Sequence, residues 1–140
     1  MEQTVVLIKP DGMQKHVVGN IIDRFEKAGL ALVGLKMIKL TRPLLEEWYA
    51  HHKDKPFFDD LCRQMMSTPV AAFVLEGDGA IQIVFDICGP TDPADAAPGT
   101  IRKDFGVDKP QNVVHRSDSA EAAQKEIDLL FRPNEIFDRR

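Results

Sequence analysis

The apolar positions of this chain change spacing as they run, from two for strands to three and four for helices, and the changes delimit its elements. Thr4 to Ile8 is a β-branched, apolar run and predicts a central strand. Lys9-Pro10-Asp11-Gly12 predicts the turn that ends it. Val18, Ile21, Ile22 and Phe25 share one helical face, and Gly29 closes that helix. Leu30 to Leu40 alternates as a second strand, with Val33, Leu35 and Met37 on one face. Thr41 begins a helix whose apolar side is Leu44, Leu45, Trp48 and Tyr49. The polar stretch His51 to Pro56 breaks it. Phe57 and Phe58 open the next helix, continued by Leu61, Cys62 and Met65.

Val70 to Leu75 predicts a third core strand, and Gly77-Asp78-Gly79 a turn. Ala80 to Cys88 predicts a short helix with Ile81, Val84, Phe85 and Cys88 inward. Gly89 to Gly99 is a long loop rich in proline, glycine and aspartate; loops of that length in a compact domain tend to be functional. Asn112 to Val114 predicts a short buried strand ending on His115. A helix follows with Ala123, Ile127, Leu130 and Phe131 inward. Asp118 or Ser119 is its N-cap, and Asp118 with Glu121 has capping-box spacing. Arg132-Pro133 stops it, and Ile136 and Phe137 are left to pack on a neighbouring surface or subunit. This order predicts an α+β fold, a ferredoxin-like βαββαβ sandwich. Its antiparallel sheet would carry helices on one side and an inserted helical pair, with residues 1–140 as a single domain.

Composition narrows the function. The 140 residues carry a net charge of −4, with 44% hydrophobic and 29% charged residues, which suits a globular domain and not a general nucleic-acid binder. No sequence-specific nucleic acid is expected as a partner. Cys62 and Cys88 lack metal-ligand spacing, and no signal peptide or membrane-length apolar run is visible. A reducing, cytoplasmic setting without a membrane is the expectation. A small anion is still admissible, because a pocket needs only a few cations and N–H donors.

The candidate chemistry centres on His115. It would sit at a strand-to-helix corner, where an anion can be received, and a neutral imidazole there is a plausible nucleophile. Read alone, it is better taken as a loop histidine capping a backbone carbonyl. Lys9 is either a cation projecting into a cleft or a solvated turn lysine, and Arg102 either a phosphate fork or a surface charge. One phenylalanine at the start of the Phe57-Phe58 helix could be exposed and stack on a planar ligand, or both could be core.

Six fragments, in order, resemble nucleoside diphosphate kinases along nearly the whole chain. They are Ile8-Lys9-Pro10-Asp11-Gly12, Arg24-Phe25-Glu26, Lys55-Pro56-Phe57-Phe58, Gly89-Pro90-Thr91-Asp92-Pro93, Pro98-Gly99-Thr100-Ile101-Arg102, and Asn112-Val113-Val114-His115 with Ser117-Asp118-Ser119. The resemblance implies transfer of the terminal phosphate of a nucleoside triphosphate, chiefly ATP, to a nucleoside diphosphate. The implied route is ping-pong, through a phosphohistidine at the pros nitrogen of His115. It further implies Lys9, Phe57, Thr91, Arg102 and Asn112 as nucleotide-binding residues, with Tyr49, Ser117 and Glu126 orienting the histidine. Mg²⁺ would come with the nucleotide, held by phosphates and water and by no protein side chain. A homo-oligomer is implied as well. The length of the tail favours a hexamer over a tetramer.

Two positions depart from the family pattern. Phe85 stands where the family has a phosphate-contacting arginine, and Arg116 where it has a small residue, usually glycine. Two expectations follow. Either Arg116 returns the lost cation to the phosphate pocket, or it faces solvent or a subunit. The loss at Phe85 also leaves open a weakly active or inactive nucleotide-binding scaffold.

Overall fold

The computed structural model describes residues 1–139. Its strands are β1 (Glu2–Ile8), β2 (Ala31–Ile38), β3 (Val70–Gly77) and β4 (Val114–Arg116). Its helices are α1 (Pro10–Gln14), α2 (Val18–Lys27), α3 (Arg42–Trp48), α4 (Phe58–Met65), α5 (Ala80–Cys88), α6 (Ile101–Phe105) and α7 (Ala120–Leu130). Short 3₁₀ turns lie at Pro93–Asp95 and Pro133–Glu135. The sheet order is β2-β3-β1-β4, and every pairing is antiparallel. The expected α+β, ferredoxin-like arrangement is what forms.

The layering differs from the expectation of helices on one side. Val5 and Leu7 pack with Ala72, Val74, Leu45, Phe58, Met65, Ile127 and Leu130 on one face of the sheet. Val6 and Ile8 pack with Ala71, Phe73, Leu75, Ile21, Phe25, Val84 and Ile101 on the other. Thus α3, α4 and α7 cover one face, and α2, α5 and α6 the other. The reason lies in β1 itself: Val5, Val6, Leu7 and Ile8 are all 0% exposed. Each such side chain contributes about 1.5–3 kcal/mol when buried, so neither face could be left in water.

Several local expectations give way to tertiary contacts. Lys9 to Gly12 is no open turn but the entry to α1, with Lys9 as N-cap and Pro10 at the first helical position. The register of β2 against β3 shifts between Leu32 and Gly34. This bulge turns Val33 into the core, away from Leu35 and Met37, which are exposed. Phe85 is 42% exposed and does not join Val84 and Cys88 in the core. The loop after Gly89 leads into α6, whose N-cap Thr100 accepts from the Lys103 N–H at 3.2 Å. Arg24 of α2 holds that corner, donating to the Gly99 carbonyl at 2.9 Å and pairing with Asp104 at 2.8 Å. In the tail, Ile136 packs on the core of its own chain, while Phe137 is exposed although its N–H donates to the Val33 carbonyl.

Candidate active site

The site begins with a strained backbone residue. Val113 has φ +76°, a conformation that β-branched residues avoid. The Val114 N–H donates to the Asn112 carbonyl at 2.8 Å, so Val113 is the centre of a γ-turn of the strained hand. Three partners hold it. Its N–H donates to Asp11 Oδ2 at 2.9 Å, its carbonyl accepts from the Lys9 N–H at 2.8 Å, and its side chain is fully buried. The kink delays β4, which therefore starts at Val114 and not at Asn112. His115 lies within the strand, opposite Leu7, rather than at a strand-to-helix corner. The chain then runs through Ser117 and Asp118 to Ser119, the N-cap of α7, whose Oγ accepts from the Ala122 N–H at 3.1 Å. Asp118 takes no part in a capping box; its carboxylate accepts from Arg116 Nη1 at 2.6 Å.

Glu126, one turn and a half into α7, faces β4. Its Oε1 meets His115 Nε2 at 2.8 Å and accepts from Ser117 Oγ at 2.8 Å. Burial pushes this carboxyl up, but the hydrogen bonds and charge of His115, with help from Ser117 and Trp48, outweigh it and hold it below the usual range. An ionised carboxylate can only accept, so Nε2 is the donor in this contact, and in the neutral ring Nδ1 is the nitrogen with the lone pair. Trp48 packs edge-on against the ring, centroids 5.0 Å apart at 90°, and Tyr49 stacks on Trp48. Burial raises the Tyr49 hydroxyl far above its ordinary range, with the Glu126 charge adding to the effect, so it remains a donor.

His115 opens on a cavity of about 210 Å³ lined also by Lys9, Tyr49, Thr91, Arg102, Asn112 and Arg116. Lys9 Nζ donates to Asn112 Oδ1 at 2.9 Å and to the Pro110 carbonyl at 2.8 Å. Asn112 Nδ2 donates to the Thr91 carbonyl at 3.0 Å. Burial lowers the Lys9 ammonium from its ordinary value. Arg102 donates to the Gly89 and Val114 carbonyls, both at 2.9 Å. Burial lowers its guanidinium too, with the neighbouring Arg116 charge a smaller contribution. Phe57 is half exposed and lies apart, in an adjoining cleft that shares Lys9, Leu61 and Met65 with this cavity. Two compartments result: a small polar pocket with cations beside a lone pair, and a wider cleft with an aromatic face.

Eight of the nine expected site residues therefore gather at the cavity or directly behind His115, and Phe57 lines the adjoining cleft. Sequence reasoning missed Trp48, Asp11 and Asp118. Nothing in local spacing marks Trp48, because a tryptophan on an apolar helix face reads as core. Among the described residues, no three His, Cys, Asp or Glu side chains cluster to hold a metal ion. No helix among them is long and apolar enough to cross a membrane.

Comparison with known proteins gives the family and the fold. A family model for nucleoside diphosphate kinase matches residues 2–136. A nucleoside diphosphate kinase of Staphylothermus marinus is 52% identical over 98% of this chain and 97% of its own length. One of Archaeoglobus fulgidus is 50% identical over 97% of this chain and 90% of its own. Among solved structures, a nucleoside diphosphate kinase family protein from Babesia bovis superposes with a TM-score of 0.96 at 44% identity, covering 100% of this chain and 95% of that one. A halophilic nucleoside diphosphate kinase from Halobacterium salinarum, in complex with CDP, does so with a TM-score of 0.94 at 45% identity, covering 99% and 93%.

Proposed function

The chain belongs to the nucleoside diphosphate kinase family, and we propose that His115 Nδ1 is the atom that carries its phosphoryl group. The enzyme is a phosphotransferase that moves phosphate between nucleotides. The inactive scaffold that Phe85 suggested finds no support, since the relatives at about half identity carry the kinase name.

The observation that carries our reading is the His115–Glu126–Ser117 hydrogen-bond set. It turns the Nε2–H towards Glu126, so that in the neutral ring the free lone pair lies at Nδ1, in a pocket with Lys9 and Arg102. In the first half-reaction Nδ1 attacks the terminal phosphorus of a nucleoside triphosphate, chiefly ATP. The bond to the bridging oxygen breaks and the diphosphate leaves with those electrons. The imidazolium keeps its proton on Nε2, against the Glu126 carboxylate. In the second half-reaction a terminal oxygen of another diphosphate attacks the same phosphorus and the N–P bond breaks. Positioning and charge stabilisation are what such a transfer needs. Lys9, Arg102 and Asn112 supply donors to phosphates and sugar, and the Thr91 segment is pinned to them through Asn112. Phe57 offers a face to any base, which favours broad base tolerance. Tyr49 and Trp48 hold the histidine from the side.

Mg²⁺ fits this donor set as a passenger of the nucleotide. Asp118 is paired with Arg116 and Glu126 with His115, so these two carboxylates are already engaged, and among the described residues no acidic cluster is offered to a hard cation. When bound on the phosphates it neutralises part of their charge. We further propose that residues 1–140 act as one cytoplasmic domain in a homo-oligomer, a hexamer rather than a tetramer, which light scattering after gel filtration would settle.

Replacing His115 by Gln keeps the fold, since the side chain is only partly buried, and removes the attacking lone pair. Incubation with γ-labelled ATP is expected to leave an acid-labile, base-stable label on the parent protein, discharged by GDP, and none on His115→Gln. Exchange that survives in the variant would overturn the reading.

A further inference from the structure

Two guanidinium groups converge in the cavity beside His115, and the scheme above uses only Arg102. Arg102 Nη1 donates to the Gly89 carbonyl at 2.9 Å, and Arg116 Nη2 reaches the same oxygen at 3.5 Å. Two cations thus share one neutral acceptor. Arg116 is 6% exposed. Among the described residues its ion pair is with Asp118, whose side chain is 81% exposed and therefore well screened. Nε of both arginines lacks a hydrogen-bond partner among the described residues. The positive charge of the pair is incompletely balanced by protein groups, in a pocket that also holds Lys9. A flat support fixes the second guanidinium: its carbon lies 4.0 Å from the centroid of the Phe85 ring. This explains why a phenylalanine stands half exposed on α5.

We propose that Arg116 is a second phosphate-binding guanidinium of this site, held in plane by Phe85 and paired with Asp118 until a nucleoside di- or triphosphate binds. The inference rests on the assignment of the His115 cavity as the phosphate pocket. A planar fork suits phosphate oxygens, and a nucleotide phosphate is a stronger partner than a carboxylate lying mostly in water. Phe85 thereby acts through Arg116 as a positioning residue.

The test compares Arg116→Ala, Arg116→Lys, Phe85→Leu and Asp118→Asn with the parent full-length protein. ADP affinity by calorimetry, KM and kcat for a diphosphate acceptor, and thermal stability are read for each. Arg116→Ala is expected to weaken ADP binding and raise KM by roughly tenfold to a hundredfold, the effect of one charge-assisted hydrogen-bonding partner. Phe85→Leu loses part of the same affinity with little change in melting temperature, and Asp118→Asn binds ADP at least as tightly as the parent. Should Arg116→Ala fail to fold, Arg116→Lys decides: the charge stays, the fork is lost, and weaker binding is expected. Unchanged ADP affinity in the folded Arg116 variants, with only stability lowered, would make Arg116 a strut between β4 and the Gly89 loop and overturn the proposal. Weaker binding in Asp118→Asn would count equally against it. The histidine label separates the two readings. Parent protein that takes no label defeats the His115 assignment, whereas a labelled parent with unchanged Arg116 variants defeats this inference alone.

Discussion

His115 and Glu126 meet across 2.8 Å, and that contact makes Glu126 a sensor of pH as well as an anchor. Its carboxyl titrates below the ordinary range although burial works against this, because His115 and Ser117 hold the charged form. The unfolded chain therefore binds this proton more readily than the folded one. The stabilisation is fully present above about pH 4.3, the free glutamate value, and disappears as pH falls through the lower folded value. Glu126→Gln has no such carboxyl and is expected to lose less melting temperature than the parent between about pH 6 and about pH 3. Circular-dichroism melts across that range check it, and parallel curves would sink the idea. Glu126 itself was legible only through its resemblance to a family position. Its spacing from His115 in sequence says nothing about a shared hydrogen bond, since that depends on how α7 docks on the sheet.

Among the elements, α7 shows best what local chemistry can do. Ala123, Ile127, Leu130 and Phe131 all reach the core as their spacing requires. The cap was narrowed to two residues, and the structure selects Ser119 because Asp118 is drawn to Arg116. Ser119→Ala removes the acceptor for the Ala122 N–H and is expected to cost about 1 kcal/mol in urea denaturation. Activity should fall little, because Glu126 lies beyond the first turn. Short elements were less legible. Helices α1 and α6 have five residues each, too few for a 3.6-residue period to show. β4 has three residues, and the γ-turn at Val113 that sets its start has no sequence signature.

Across the whole molecule, the two ends of the chain make the site together. β1 lies between β3 and β4, so Lys9 at the end of the first strand comes beside Asn112 and His115. Gly12 is the tightest point of that junction. A Cβ there would stand 2.8 Å from both Ile8 Cγ2 and the Val113 carbonyl oxygen. Gly12→Ala is expected to destabilise the protein by about 1–3 kcal/mol and to lower turnover, since it pushes on the γ-turn that aims β4. Urea melts and turnover measured on the same preparation check both effects; a variant as stable and active as the parent would show the junction to be slack. The amino-acid pattern alone established the order of the strands and longer helices and the inward face of α7, because periodicity and capping act over a few residues. The six quoted fragments likewise marked the family. Layering on both faces, the bulge at Val33, the support of Arg116 by Phe85 and the tautomer of His115 were decided only by the folded chain. Each depends on groups far apart in sequence, whose contact is fixed by strand order and by the burial of both faces of β1.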